Sequence, residues 1–256
     1  MGHMFTSWLS YSDFATAVKR SGRRQAMSTK AKTFLNALSS TAASRTARIA
    51  KGKVFWRAQR GFSVATFAED ISKHGVPTPH LPARMKPPPI AAAPGRLTRK
   101  GESSCLYLAT DEHTAIAEIR PWIGNHVSVA QFKLLRDVQI IDCSSEHSED
   151  YWFYESEPED PIERERAVWH ELSRCLSEPI DASTRTTEYK PTQIIGDHFR
   201  ALGLDGIMYQ SILGGGRNVA LFDGANADPG SCALVYVRCL LPLYDEVAAP
   251  CPSHSR

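Results

Sequence analysis

Five side chains in this sequence are of types that do chemistry, and each stands where its presence needs a reason: Arg57, Arg96, Tyr107, Glu118 and Ser211. Glu118 lies in CLYLATDEHTAIAEIRPW, residues 105–122, among Ala115, Ile116, Ala117 and Ile119. A helical wheel places it at the edge of an apolar stripe, partly out of water. Desolvating a carboxylate costs free energy, so an acid kept there has a partner or a task. Two readings stand: a helix-surface acid paired to Arg120 or His113, or a group that acts on a ligand. Arg57 interrupts the apolar run VFWRA. A guanidinium in such a strand needs an anion, either an internal carboxylate or phosphate oxygens met in bidentate fashion. Arg96 sits in PGRLTRKG beside Arg99 and Lys100, as a solvated loop cation or an anion ligand. Strand alternation turns Tyr107 away from Leu106 and Leu108, as a core tyrosine or a stacking platform for a flat ring. Ser211 ends GIMYQS just before ILGGGRN. A glycine-rich turn after a strand can offer backbone N–H groups to an anion, or simply close a hairpin.

The elements that must position these groups follow from periodicity. SDFATAVKRSG and KTFLNALSSTAASRTARIAKG read as two helices, the second stopping at Gly52. KVFWRAQ is a short strand. Residues 75–103 are dense in Pro, Ala and Gly and read as one long loop carrying Arg96. Residues 105–109 form a strand, Thr110 or Asp111 caps the following helix, and Pro121 ends it. HVSVAQFKL and VQIID are strands, and residues 144–161 form an acidic, aromatic loop. IERERAVWHELSRCLSEP and TQIIGDHFRALG are helices, the latter closed by Gly203. GIMYQS, RNVALF and CALVYVRCL finish the chain as strands. Helices and strands mix without regular alternation, so the fold class is α+β.

Composition narrows the function classes. Net charge is +2, so the total implies no nucleic-acid partner. Residues 1–53 nevertheless hold ten Lys/Arg against one acid, Asp13, and the remainder holds twenty against twenty-seven Asp/Glu. A basic, Ser-rich start reads as a solvated helical face, a transit peptide or a nucleic-acid arm. The six cysteines show no CxxC spacing and several lie in apolar runs, which suits a reducing cytoplasm. The nine histidines form no HxxxH or HExxH pattern, so no metal site is expected. No apolar stretch approaches the ~18 residues of a membrane span, and no signal-peptide core is visible.

Taken in order, FWRAQRG, MKPPP…PGRLTRKG, CLYLATDEHTAIAEIRPWIGNHVSVAQF, EYKPTQIIGDHFRALGLDGIMYQS and GGGRNVALF resemble the RES domain family. The resemblance covers roughly residues 53–245, with residues 1–52 as an N-terminal helical lead-in and 246–256 as a C-terminal tail. It implies a split, mixed or antiparallel β core like that of ADP-ribosyltransferases, with flanking helices. It also implies an NAD⁺-consuming bacterial toxin, neutralised by an Xre-type helix-turn-helix antitoxin. NAD⁺ is then the substrate, cleaved by hydrolysis or phosphorolysis, without a metal. Transfer of ADP-ribose to a protein is the alternative. A non-catalytic module that binds through the basic N-terminal arm is a third reading.

Carried over residue by residue, the resemblance gives Glu118, Arg57 and Ser211 as catalytic. Arg57, Arg96, Tyr107, Ser211 and Asn218 would bind NAD⁺. Arg57 and Arg96 would clamp the diphosphate, Tyr107 would stack on nicotinamide, and Ser211 with Asn218 would hold the nicotinamide ribose or amide. Thr98 and Arg99 stand where the family more often has an Asn-Pro pair, and Gln210 stands where a Pro often precedes the serine. These departures bear on substrate preference. The expected setting is cytoplasmic, without membrane or direct nucleic-acid contact, as a homodimer or a toxin–antitoxin hetero-oligomer. The basic arm and the acidic loop are the candidate docking surfaces for the antitoxin, because charge of either sign steers association.

Overall fold

The computed structural model describes residues 4–20, 27–65, 75–144, 156–181 and 183–240. Helices α1 (Ser10–Arg20) and α2 (Thr29–Ala42) lead into strand β1 (Thr46–Ile49). Strands β2 (Val54–Arg60), β3 (Ser63–Ala65) and β4 (Val76–Thr78) follow, then a short helix α3 (Pro82–Met85). Next come β5 (Leu106–Ala109), α4 (Glu112–Glu118), β6 (His126–Leu134) and β7 (Val138–Asp142). Helices α5 (Pro161–Ser177), α6 (Arg185–Glu188) and α7 (Lys190–Ala201) precede β8 (Gly206–Gln210), β9 (Arg217–Leu221) and β10 (Ala227–Tyr236).

The expected α+β class holds. Eight strands form one sheet in the order β1-β7-β8-β9-β5-β2-β6-β10. Its named pairs are antiparallel except β7 with β8, which the helical crossover α5–α7 joins in parallel. The pairing is uneven where it matters. Strand β2 pairs with β6 from Val54 to Arg60, and β5 pairs with β9 from Leu106 to Ala109. Between β2 and β5 the register holds only Trp56 opposite Ala109. The sheet therefore opens at its middle, beside Arg57.

Hydrophobic burial fixes the layers. Phe14, Phe34 and Leu38 of the first two helices share a core with Trp169 of α5, Phe199 of α7 and Ile207 of β8. Phe14 and Phe34 stack with ring centroids 4.4 Å apart, and burying each ring is worth roughly 1.5–3 kcal/mol. A second cluster joins Phe55, Leu106, Leu108 and Phe132. Tyr107 packs on the first cluster, on the face away from Leu106 and Leu108, as the alternation required.

Several expectations change. Residues 75–103 are not one loop: Val76–Thr78 pairs with Ser63–Ala65, and Pro82–Met85 is helical, with Pro82 in the first turn. The second helix does not run to Gly52: it ends at Ala42, and Thr46–Ile49 pairs antiparallel with β7. A free sheet edge outweighs weak helix propensity in a Thr- and Ile-bearing segment. Gly52, at φ 87°, turns the chain from β1 into β2 instead. The lead-in thus contributes a strand to the main sheet. Its cations are also partly engaged: Lys19 pairs with Glu188 at 2.6 Å, Arg45 lies 3.9 Å from Glu165, and Arg48 pairs with Asp137. Most of the acidic segment expected at 144–161 lies outside the described residues. Among the described residues, no helix is long and apolar enough to cross a membrane, and no group of three or more His, Cys, Asp or Glu could hold a metal ion.

Candidate active site

A cavity of about 320 Å³ lies where β2 and β5 part. Arg57, Arg96, Tyr107, Glu118 and Asn218 line it, with Trp56, Tyr189 and Tyr209. Five of the six candidate residues thus meet at one opening. Ser211 joins them indirectly, through Glu118.

Glu118 is the last residue of α4. The Ser211 hydroxyl donates to its Oε1 at 2.7 Å, and Asn218 Nδ2 donates to the same oxygen at 2.6 Å. Both donors are buried, at 3% and 6% exposure, so they form a fixed cradle beneath the carboxylate. Glu118 itself is exposed, which corrects the expectation of partial desolvation. A seven-residue helix is too short to bury its terminal side chain along a stripe, so the carboxylate leaves the helix end at the cavity rim. Among the described residues neither Arg120 nor His113 pairs with it.

The start of α4 is pinned. Asp111 caps the helix by accepting from the Thr114 N–H at 2.8 Å and the Thr114 hydroxyl at 2.8 Å. Burial opposes ionisation of Asp111, but these hydrogen bonds from Thr114 win and hold it below its ordinary value. Thr114 in turn accepts from Gly216 N–H at 2.9 Å. The glycine-rich turn therefore directs three of its N–H groups, those of Leu213, Gly214 and Gly216, to side chains of the protein. Leu213 and Gly214 donate theirs to Ser211 Oγ, at 3.2 and 3.1 Å. Its glycines serve close approach: a Cβ on Gly214 would meet Thr114 Cα at 2.8 Å, and one on Gly216 would meet Thr114 Oγ1 at 2.6 Å.

With one bond donated and two accepted, the Ser211 hydroxyl is fully used, so it orients Glu118 and has no capacity left for a ribose. Asn218 orients the same oxygen from β9.

Arg57 is half-buried and bridges the opening, its Nη1 donating to the Tyr107 carbonyl at 3.0 Å. That carbonyl belongs to the strand edge that β2 leaves unpaired. The Arg57 Nε is buried without a partner, and no carboxylate pairs with Arg57 among the described residues. Burial pulls the guanidinium below its ordinary value, yet arginine stays cationic. A half-buried guanidinium that lines a cavity with no carboxylate to neutralise it is suited to an anionic ligand.

Arg96 differs from the expected diphosphate clamp. Its Nη1 donates to the Cys175 carbonyl at 3.0 Å, and its Nη2 to the carbonyls of Ser177, at 3.3 Å, and Glu178. The guanidinium caps the C-terminal end of α5, whose partial negative charge favours a cation. It also lies over the Tyr189 ring at 5.7 Å and so forms a wall of the cavity. Helix α7 holds the same loop: the Thr192 hydroxyl donates to the Arg96 carbonyl at 2.6 Å, and Gln193 Nε2 to the Gly95 carbonyl at 2.8 Å. Tyr107 accepts from the Leu97 N–H at 3.1 Å through its hydroxyl. Burial raises that hydroxyl above its ordinary range, so it stays neutral.

The three departures noted in the sequence have structural duties here. Buried Thr98 accepts from Cys105 N–H at 3.2 Å, Arg99 reaches Asp197 at 2.5 Å, and Gln210 Nε2 donates to the Gly216 carbonyl at 3.1 Å. Sequence reasoning missed Trp56, Tyr189 and Tyr209 as cavity walls. The alternation of GIMYQS, which puts Tyr209 and Ser211 on one face, carried the signal for Tyr209.

Fold and site together define an α+β protein whose central sheet opens to set an arginine and a carboxylate among aromatic rings. The chain belongs to the RES domain family, whose model matches residues 68–240. Arg96, Tyr107, Glu118, Ser211 and Asn218 lie inside that span, and Arg57 precedes it. Among solved structures, the crystal structure of the M. tuberculosis MbcT–MbcA toxin–antitoxin complex is similar to this chain. The match covers 76% of this chain and 90% of that one, at 10% identity and a TM-score of 0.41. No curated protein matches.

Proposed function

We propose that this chain is an NAD⁺-consuming enzyme that cleaves the nicotinamide–ribose bond, and that it serves as the toxin of a toxin–antitoxin pair with an Xre-type antitoxin. Family membership supports the class. The observation that carries the reaction is the Glu118 carboxylate cradled by Ser211 and Asn218 at the mouth of an aromatic cavity that also holds Arg57.

NAD⁺ has a cationic ring, a ribose and a diphosphate. The ring enters among the tyrosines, where a cation over an aromatic face is favoured. Arg57 meets a phosphate oxygen through its unused donors. The C–N glycosidic bond then breaks heterolytically, and its electron pair leaves with neutral nicotinamide. The ribose passes through an oxocarbenium-like state, as in glycoside hydrolysis. Glu118 faces the growing positive charge and stabilises it. Ser211 and Asn218 hold that carboxylate in place, so it does not have to reorganise as charge develops. Water, losing a proton, or phosphate then captures the ribose carbon. A protein side chain is the other acceptor, and every residue named here would serve that transfer equally.

Expression of the wild-type chain alone in a bacterium is expected to arrest growth and lower cellular NAD⁺, while Glu118→Gln expressed at the same level leaves both unchanged. Unaltered growth and NAD⁺ on wild-type expression, with no partner present, would contradict the toxin reading and favour a binding module.

A further inference from the structure

The start of α4 is fixed by Asp111 and Thr114, but Glu118 sits at the other end. There the backbone does something unusual. Arg120 has φ 46°, and it is the only non-glycine residue with positive φ among the described residues. This left-handed conformation is the one glycine normally supplies just past a helix end. A residue with a side chain persists there only where its surroundings over-determine it.

The Arg120 N–H donates to the Ala117 carbonyl at 2.9 Å, and one side chain holds the carbonyls beyond it. Arg60, at the end of β2, donates from Nε to the Ile119 carbonyl at 2.9 Å, and from Nη2 to the carbonyls of both Ile119 and Arg120. The Ile119 carbonyl, at the C-cap, is among those that a helix end leaves without partners, and a cation there is favoured by the helix dipole. The helix has seven residues, too few to hold its own last turn by cooperativity.

We infer that Arg60 is a positioning residue for Glu118: by chelating the Ile119 and Arg120 carbonyls it locks the end of α4 and so fixes where the carboxylate stands. One strand then serves both halves of the site. Arg57 of β2 faces the ligand's anion, and Arg60, three residues on, sets the carboxylate that faces the ribose. The catalytic part of this inference rests on the proposed function; the geometric part does not.

The experiment measures steady-state NAD⁺ turnover in wild type, Arg60→Ala and Arg60→Lys, together with the Asn218 side-chain amide resonance by ¹⁵N NMR. That amide donates to Glu118, so it reports the carboxylate's position without any turnover. Small misplacement of a catalytic group costs roughly 10- to 100-fold. Arg60→Ala is therefore expected to lower kcat by about that factor with KM changed less than about twofold, because ground-state contacts survive. Its Asn218 amide resonance should move. Arg60→Lys keeps the charge but loses the fork, so it should fall between wild type and Ala in both readouts; it also decides the matter if the Ala variant does not fold. Wild-type kcat and an unmoved Asn218 amide in the folded Ala or Lys variant would overturn the inference. Absence of NAD⁺ turnover in the wild-type protein would instead overturn the proposed function, and the amide resonance would still decide whether Arg60 holds the helix end.

Discussion

Glu118→Gln is expected to lower NAD⁺ turnover by at least ~100-fold, the scale of losing one electrostatic stabiliser of a developing charge. The substitution is well matched to the geometry. Ser211 and Asn218 both donate to Oε1, and a Gln carbonyl oxygen accepts the same two bonds. Shape and cradle persist, and only the charge is lost. Glu118 is exposed and lies outside the core, so thermal stability should stay near that of wild type. NAD⁺ affinity should change little, because the ground-state ribose carries little of the charge that the carboxylate opposes. Single-turnover kinetics with a melting curve checks this. Near-normal turnover by the folded variant would remove Glu118 from the mechanism.

Arg57→Ala should act on binding. Its half-buried guanidinium lines the cavity and is expected to meet a phosphate oxygen in both ground and transition states. A hydrogen bond to a charged group is worth about 1.5–3 kcal/mol, so NAD⁺ affinity should fall roughly 10- to 100-fold. Loss of uniform binding raises KM more than it lowers kcat. Arg57→Lys should recover part of the affinity, since an ammonium carries the charge without the planar fork. The fold should tolerate the change: the Ala variant removes a buried donor that has no partner along with the single bond to the Tyr107 carbonyl. Isothermal calorimetry of NAD⁺ binding to each variant is the test. Unchanged affinity in Arg57→Ala would exclude the role.

The two expectations show how far the sequence reaches. Glu118 and Arg57 were recognisable because each set a charge against an apolar pattern, and such conflicts concentrate at functional sites. The longer strands and helices were legible in the same way, from periods of two and 3.6, whereas the three- and four-residue elements β3, β4, α3 and α6 are too short to show a period. Strand β1 was hidden because TARI alternates too briefly to compete with the helical pattern before it; only the edge of β7 decides its conformation. The carboxylate's real environment was hidden for a different reason. Its partners lie 93 and 100 residues away in the chain, and no local pattern records such a pairing. A wheel drawn over a longer helix put Glu118 beside buried side chains; the observed helix stops at that residue.

Arg96 and the glycine turn teach the same lesson from the opposite side. Each has the composition of an anion site. In the fold Arg96 spends its donors on the end of α5, and the turn spends its N–H groups on Ser211 and Thr114. Composition shows what a residue can bind, and tertiary contact shows which of its donors are already engaged. Arg57 keeps its anion-site reading because the same test leaves its Nε unclaimed.

The central claim is that the opening between β2 and β5 is a site for breaking the nicotinamide–ribose bond. Incubating the purified chain with NAD⁺, with and without inorganic phosphate, and following nicotinamide, ADP-ribose and its 1″-phosphate tests it most directly. The account predicts release of nicotinamide in step with loss of NAD⁺, abolished in Glu118→Gln, with the second product reporting whether water or phosphate is the acceptor. Intact NAD⁺ after prolonged incubation with folded wild-type protein, with and without phosphate, would contradict it.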